Sequence, residues 1–315
     1  MTFSRLLKIT LRSLQESFGL RWYCQPREYH FNYEIVIHNP TDNLEQYKVY
    51  APLASEFPFQ NIYETHFHEK PLSIQIDQQY QNSYGIWEGE VHAHAEKTIS
   101  IEYRMKIAPR KLIYHTYHKE DYDVSSSEYI LFTQKDNSID PTESRIEEIN
   151  KKLLQGERKV LTILARCNDF VISKLTYGNP IPGLYSSSDA LEQPMVDCGG
   201  YDTFLVALLR NAGIPARVVS GFWLGYSRIR HHMHAWVEAL LPDGQWIPLD
   251  PSAEQLFRQG RAWQSGKLGF TGSDRVLLSL GNDIICDEKE SIALLQHPHS
   301  SNSLIKTFAR IKIMK

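Results

Sequence analysis

The stretch MVDCGGYDTFLVALLRNAGIPARVVSGF, residues 195–222, predicts a buried helix that leads into a buried strand. Its apolar residues recur at the spacing of one helix face, namely Tyr201, Phe204, Leu205, Leu208, Leu209 and Ala212. Asn211-Ala212-Gly213, followed by Pro215, predicts the end of the helix, because glycine suits the position after a helix and proline cannot continue it. The start of the stretch is unusual, since Cys198 stands there between an aspartate and two glycines.

Cys198 falls in the predicted first turn of this helix. Unpaired backbone N–H groups and the positive end of the helix dipole favour an anion there, so we expect the pKa of the thiol to be lowered. Gly199 and Gly200 each disfavour a helix by roughly 1 kcal/mol relative to alanine, which suggests that a substrate backbone approaches them closely. A cysteine at a helix start is also often a small buried hydrophobe, and a second residue is needed to decide.

The residues after the strand predict a β-hairpin that carries a histidine and an acid. HMHAWVEAL, residues 232–240, alternates, so one strand face turned away from the core carries His232, His234, Trp236 and Glu238. PDG, residues 242–244, is a turn, and QWIPLD, residues 245–250, is the return strand. The hairpin therefore offers His234 on one strand and Asp250 at the end of the other.

The length of the hairpin loop decides whether His234 and Asp250 meet. A loop of two or four residues would turn Asp250 into the core, whereas a three-residue loop sets Trp236 opposite Asp250 and makes His234 its diagonal neighbour. Proline and aspartate suit the centre of a type I turn, and glycine suits the left-handed position that closes a three-residue loop. We therefore predict a positive φ at Gly244 and a contact between an Asp250 carboxylate oxygen and a ring nitrogen of His234.

Cys198, His234 and Asp250 together provide a nucleophile, a base and an acid that orients the base. This combination favours catalysis over a structural cysteine. The alternative is a metal site at His231, His232 and His234, because His232 and His234 share a strand face. No acidic or thiol ligand pattern accompanies these histidines, so the sequence predicts neither a metal nor another cofactor.

The rest of the chain predicts two domains of an α+β protein. Residues 29–107 form short alternating runs separated by turn residues, a pattern typical of an antiparallel β-sandwich. The period then changes to that of helices, most clearly over residues 160–175. A polar cluster at Ser125–Ser127 indicates the boundary. The expected domains are an N-terminal β-sandwich at 1–125, with an amphipathic start, and a catalytic domain at 126–315.

Composition limits the partners and the location. The 315 residues carry a formal net charge of -3 without a basic patch, so nucleic acid and anionic membrane are not expected as main partners. Residues 1–20 predict an amphipathic segment, because charges interrupt them too often for a signal peptide or a membrane span. The four cysteines are scattered, which predicts no disulfide framework and a cytoplasmic location. Cys167 falls within a helical pattern and is expected to be buried and inert.

The motif DCGGYDTFLVALLRNAGIPARVVSGF, followed by HAWVEALLPDGQWIPLDPS, resembles the core of the transglutaminase-like superfamily of cysteine enzymes. The resemblance covers residues 197–252 and places Cys198 on the nucleophile, His234 on the base and Asp250 on the orienting acid. It implies a papain-like core of helices packed on an antiparallel sheet. The β-rich segment before it is similar to the N-terminal domain of bacterial and archaeal members. Val196 departs from the family, which usually has glycine at this position.

The resemblance implies a cysteine hydrolase, a protease or amidase, that acts on peptide or amide bonds through an acyl-thioester on Cys198. The alternatives are an amine-transferring transglutaminase and an inactive binding module. No acidic loop has calcium-ligand spacing, and the zinc cysteine pairs of the deglycosylating branch are absent. A peptide or protein substrate is expected, without stable membrane insertion, and the sequence predicts no oligomeric state.

Overall fold

The computed structural model describes residues 3–113, 115–225, 232–287 and 290–314. Seven α-helices occur in these residues: α1 Phe3–Ser17, α2 Ser127–Thr133, α3 Ser144–Leu154, α4 Val160–Lys174, α5 Ser187–Glu192, α6 Cys198–Asn211 and α7 Pro251–Arg258. The same residues hold sixteen strands: β1 Arg27–His38, β2 Glu45–Pro52, β3 Gln60–Phe67, β4 Ser73–Ile76, β5 Ser83–Val91, β6 Glu96–Ile107, β7 Arg110–Lys111, β8 Ala216–Trp223, β9 His232–Leu240, β10 Trp246–Leu249, β11 Phe270–Thr271, β12 Arg275–Leu280, β13 Ile284–Cys286, β14 Glu290–Ile292, β15 His299–Ser300 and β16 Lys306–Ile313. Helices together with antiparallel sheets confirm the predicted α+β class.

The chain folds into two compact units, each assembled from three segments. Unit 1 consists of Met1–Gln25, Pro109–Val219 and His234–Gly272. Unit 2 consists of Pro26–Ala108, Ser220–Met233 and Ser273–Lys315. This division differs from the single boundary expected between residues 125 and 126. The physical reason is strand pairing between distant parts of the chain, because β16 pairs antiparallel with β1 along its whole length.

Unit 2 is a sandwich of two four-stranded antiparallel sheets. One sheet has the strand order β16-β1-β6-β3, and the other has the order β15-β2-β5-β4. Successive side chains of a strand point to opposite faces, so alternate residues enter the common core, among them Phe31, Tyr33, Ile35, Val49, Trp87 and Tyr103. The predicted β-sandwich is confirmed, but its edge strands β15 and β16 come from the last part of the chain.

Unit 1 is built around α6. The sequence pattern predicted one apolar face for this helix, but every residue from Gly199 to Arg210 is buried. The reason is that α3, α4, α5 and α7 all pack against α6. In the same unit, β10 pairs antiparallel with the part of β9 from His234 onward, and residues 216–219 of β8 belong to this unit as well. Cys198, His234 and Asp250 therefore all belong to one compact unit.

Three further expectations concern single helices. The helical pattern over residues 160–175 corresponds to α4, where Cys167 is fully buried and burial raises the pKa of its thiol to about 12. This agrees with the expected burial, and its inertness stays a prediction. The amphipathic start of the chain forms α1. In the part of the chain that the structure describes, no helix is long and apolar enough to cross a membrane.

Candidate active site

The hairpin of β9 and β10 has the predicted register. Gly244, at the end of the loop, has a φ of 86°. The ladder that follows pairs Val237 with Leu249. Because Asp250 is the next residue and successive strand residues alternate, it lies on the strand face that carries His234. The three-residue loop is thereby confirmed.

His234 and Asp250 form a hydrogen bond in the interior of the protein. His234 Nε2 lies 2.7 Å from Asp250 Oδ2, and both residues are buried. The predicted contact is confirmed, but the expectation that this face of β9 lies away from the core is wrong. Trp236 on the same face is buried as well, with its ring 6.3 Å from that of His234 between centroids. The hydrogen bond is consequently shielded from water.

The second carboxylate oxygen of Asp250 begins a helix. Oδ1 accepts hydrogen bonds from the backbone N–H of Ala253 at 3.0 Å and from the Ser252 hydroxyl at 3.2 Å, so Asp250 is the N-cap of α7. This helix was absent from the sequence-based prediction. The signal was present, since an N-cap aspartate followed by Pro251 is a recognised helix start. Both oxygens of Asp250 are held in place.

Cys198 is the first residue of α6, as predicted. Asp197 caps the helix, because its Oδ1 accepts the N–H of Gly200 and its Oδ2 accepts the N–H of Ile181, both at 3.2 Å. The backbone N–H of Ala235 faces the Cys198 sulfur and favours the thiolate. Since Ala235 follows His234 directly, this N–H ties the cysteine to the strand that carries the histidine.

The predicted lowering of the Cys198 pKa is wrong. Burial raises the pKa of this thiol, and the nearby carboxyl groups of Asp197, Asp202 and Asp250 raise it further, which outweighs the opposite effect of the Ala235 N–H. A thiolate among acids in a poorly hydrated site is disfavoured more strongly than a helix N-terminus can stabilise it. Cys198 is consequently a thiol at neutral pH.

Gly200, the second glycine after Cys198, is explained by packing within the protein. A Cβ atom there would lie 2.6 Å from Val196 Cβ, which is shorter than real contacts of a Cβ atom, in an interior that is close-packed. Gly200 therefore needs no approaching substrate to account for it. A Cβ atom on Gly199 would lie 2.8 Å from Leu184 Cδ1, the end of a flexible side chain, so packing restricts that position less. Val196, the departure from the family pattern, fills the space that Gly200 leaves.

Asp202 is a residue of the site that the sequence-based prediction missed. It lies one turn after Cys198 on α6 and is fully buried, and among the described residues neither of its carboxyl oxygens has a hydrogen-bond partner. Burial raises its pKa well above the usual range, and the neighbouring acids Asp250 and Asp197 add to this. The available signal was an acid within an otherwise apolar segment of a helix. This is unusual, because acids are almost never fully buried unless they are paired.

Glu238 was also missed, although it lies on the same face of β9 as His234. Arg110 Nη1 donates to Glu238 Oε1, and Arg217 Nη2 lies 2.7 Å from Oε2. Burial alone would raise the pKa of Glu238, but the two arginines outweigh it and lower the pKa to about 2. Arg217 also lies 3.8 Å from the ring centroid of Trp246. The cluster thus joins β7, β8 and β10 to the strand that presents His234.

The alternative metal site involves residues outside the described part of the chain. His231 and the side chain of His232 are not described, so their position relative to His234 stays open. Among the residues that the structure does describe, no group of three or more His, Cys, Asp or Glu side chains could hold a metal ion.

Limiting iodoacetamide is expected to label Cys198 before Cys24, Cys167 and Cys286, because these three are buried and Cys198 is partly exposed. The labelling rate should still be rising at about pH 9, since a raised thiol pKa leaves little thiolate at neutral pH. Mass spectrometry of the labelled peptides over a series of pH values measures the order and the rate. A rate that already reaches its plateau near about pH 6 would show a stabilised thiolate and contradict this.

Comparison with known sequences places the site within a known domain. A family model described as the transglutaminase-like superfamily matches residues 147–251. YebA of Bacillus subtilis (strain 168) is 29% identical over 102 residues, which cover 29% of this chain and 14% of YebA. ML0607 of Mycobacterium leprae (strain TN) is 30% identical over 121 residues, which cover 36% of this chain and 42% of ML0607. The chain therefore spans less than half the length of these two relatives.

Comparison with solved structures shows the fold. A crystal structure of a proposed cysteine protease from Cytophaga hutchinsonii superimposes with a TM-score of 0.58 and covers 92% of this chain and 93% of that one. The two sequences are 13% identical, so the likeness is one of fold alone. It confirms the core of helices and antiparallel sheet that the motif implied.

Proposed function

We propose, from the match of residues 147–251 to the model of the transglutaminase-like superfamily, that the chain is a cysteine hydrolase that cleaves peptide or amide bonds. The proposed nucleophile is Cys198, the base is His234, and Asp250 orients the base. The hydrogen bond of 2.7 Å between His234 Nε2 and Asp250 Oδ2 carries this proposal. The similar fold of the Cytophaga hutchinsonii protein, itself a proposed cysteine protease, supports the same class of activity.

The proposed mechanism gives each nitrogen of the His234 ring its own role. Asp250 holds Nε2, and Nδ1 is therefore the proposed atom for proton exchange with the Cys198 sulfur. A buried carboxylate at Nε2 keeps the ring in this orientation and stabilises the imidazolium that forms when Nδ1 takes up a proton. Asp250 thus acts through His234 and does not touch the substrate.

The first half-reaction forms the acyl-enzyme. The Cys198 sulfur attacks the carbonyl carbon while its proton passes to His234 Nδ1, and the raised thiol pKa means that proton transfer accompanies the attack. The carbonyl oxygen takes the negative charge, and the Cys198 backbone N–H at the start of α6 is proposed to hold it. The C–N bond breaks as His234 returns the proton to the departing amine, and an acyl-thioester remains.

The second half-reaction releases the acyl group. His234 takes a proton from water, the water oxygen attacks the thioester carbon, and the sulfur leaves and recovers its proton from His234. A primary amine in place of water would give transfer by the same steps, which is the reaction of a transglutaminase. We also propose a cytoplasmic location, which the four free cysteines support.

Incubation of the purified chain with denatured bacterial proteins, with and without a biotinylated primary amine, tests the proposed activity. New peptide N-termini, found by mass spectrometry, are expected in both samples. Cys198→Ala should abolish them, and Cys167→Ala, a change at the buried cysteine of α4, should leave them in place. Biotin incorporation without new N-termini would instead identify a transglutaminase. If neither product exceeds the Cys198→Ala background, the chain is an inactive binding module.

A further inference from the structure

We propose that the outward apolar face of α1 binds the surface of an anionic lipid bilayer. Large apolar side chains on α1 or directly after it are between 50% and 75% exposed: Leu6, Leu7, Leu11, Leu14, Phe18 and Leu20. Leu7, Leu11, Leu14 and Phe18 follow one another at helical spacing and form one continuous line, here named the outer stripe. A surface helix of a globular protein ordinarily turns such a stripe towards the core, and α1 does the reverse.

Polar contacts on the opposite side of α1 fix this orientation. Glu16 is buried, and its carboxylate accepts hydrogen bonds from the Tyr23 hydroxyl at 3.0 Å and from the Ser265 backbone N–H at 3.1 Å. Arg12 lies 4.8 Å from the ring centroid of Trp263. Rotating α1 to bury the outer stripe would break these contacts and leave the Glu16 carboxylate without its partners. The outward stripe is therefore built into the fold of unit 1.

The exposed charge beside the outer stripe is basic. Glu16 is the only acid in residues 3–17, and it is buried with Lys267 Nζ at 3.4 Å. Lys8 is exposed on the same helix, whereas Arg12 is held against Trp263 on the opposite side. A helix with leucine and phenylalanine on one face and an exposed lysine beside it, without an exposed acid, suits the interface of an anionic bilayer. The net charge of -3 gives no case for membrane binding by the whole chain, and the basic groups on α1 are a local exception.

A second copy of the chain fits this face less well. Two copies packed through the outer stripe would enclose Lys8 beside it, and α1 offers no exposed acid as a partner, because Glu16 is buried. A basic side chain enclosed in an interface without an acidic partner costs affinity. Anionic headgroups offer Lys8 such a partner, and each basic side chain near an anionic surface contributes about 1 kcal/mol to binding. The proposed helix docks on the surface of the bilayer and does not cross it. Its 15 residues extend about 22 Å, which is shorter than the hydrocarbon core of a bilayer.

Co-sedimentation of the full chain with vesicles tests the proposal. Vesicles of phosphatidylglycerol and phosphatidylcholine in equal parts should bind the chain at least about fivefold more strongly than vesicles of phosphatidylcholine alone. Leu7→Gln combined with Leu11→Gln should weaken binding to the anionic vesicles by at least about tenfold. The matched control combines Leu44→Gln with Leu72→Gln, two leucines of unit 2 that are 52% and 70% exposed, and it should bind like the parent.

Two further variants distinguish vesicle binding by α1 from an effect of misfolding or of lost catalysis. Lys8→Glu changes an exposed charge without removing apolar packing, so it should keep the parent's thermal unfolding curve and lose affinity for the anionic vesicles. Cys198→Ala should bind vesicles like the parent, because docking does not depend on catalysis. The proposal is overturned if anionic vesicles do not sediment the chain, or if the control loses as much binding as the α1 variant. A dimer in place of vesicle binding, dissociated by the α1 variant in light scattering, would assign the face to a second copy.

Discussion

Asp250→Asn is expected to slow turnover by about two to four orders of magnitude and to leave the free energy of unfolding within about 1 kcal/mol of the parent. Asparagine carries no charge to stabilise the imidazolium, and its amide offers a poor partner to His234 Nε2. Its carbonyl oxygen can still accept the N–H of Ala253, since asparagine and aspartate are equally good N-caps. Turnover of a peptide identified in the cleavage experiment and unfolding in urea measure the two quantities.

Asp250→Ala separates the two functions of this side chain. It should reduce turnover as much as Asp250→Asn does and should in addition lower the free energy of unfolding by about 1 kcal/mol, because α7 loses its N-cap. Catalytic loss in both variants with stability loss in the alanine variant alone is the expected pattern. Undiminished turnover in Asp250→Asn would remove Asp250 from the mechanism and leave a pair of Cys198 and His234.

Glu238→Gln is expected to lower the free energy of unfolding by roughly 3–5 kcal/mol at neutral pH. The substitution removes the charge that compensates Arg110 and Arg217, whose side chains are 14% and 13% exposed, and leaves both with a neutral partner. The matched control is Glu64→Gln, because Glu64 pairs with Arg104 at the surface, where both side chains are more than half exposed. An exposed pair contributes at most about 1 kcal/mol. Urea unfolding that gave equal losses in the two variants would contradict the assignment of Glu238.

The pH dependence gives Glu238 a second test. Its pKa is lowered from an ordinary value of 4.5 to about 2 in the folded protein, so the unfolded chain binds the proton first as the pH falls. The stability that the carboxylate contributes is complete above about pH 4.5 and is lost between about pH 4.5 and about pH 2. The parent should therefore lose stability over this range more steeply than Glu238→Gln. Parallel curves for the two proteins would show that the ion cluster does not lower the pKa of Glu238.

The hairpin shows which part of the site local sequence can predict. The identity of Gly244 determines the loop length, and the alternation of a strand then decides which side chains share a face with His234. The start of α6 at Cys198 follows equally well from neighbouring residues. Each of these features depends on interactions within about twenty residues of chain, and the contact of His234 with Asp250 could therefore be predicted.

The thiol pKa shows where local patterns are insufficient. The helix N-terminus at Cys198 is a local feature, but the burial that opposes it arises from packing of the whole of unit 1. Asp250 comes near through the fold of the hairpin, 52 positions later in the chain. Asp202 is only one turn away and visible in the sequence, yet its complete burial is not. A pKa depends on the sum of such effects, and no short motif contains them.

The pairing of distant strands and the outward orientation of α1 could not be predicted from the sequence patterns either. Alternation identified strands between residues 29 and 107, but it contains no information on a partner such as β16, whose Ile313 lies opposite Phe31. In α1 the spacing shows which leucines share a face, and it leaves open which face is turned outward. The buried carboxylate of Glu16 decides that, through partners more than two hundred residues away.

The N-cap role of Asp250 has a consequence for how such proteins lose activity during evolution. A descendant that no longer needed catalysis could replace Cys198 or His234 freely, whereas loss of the aspartate would still remove the start of α7. Selection for stability alone would then keep the aspartate in place. Among decayed relatives of this chain, an aspartate at this position is therefore a poor indicator of surviving enzymatic activity, and the cysteine and the histidine are the informative positions.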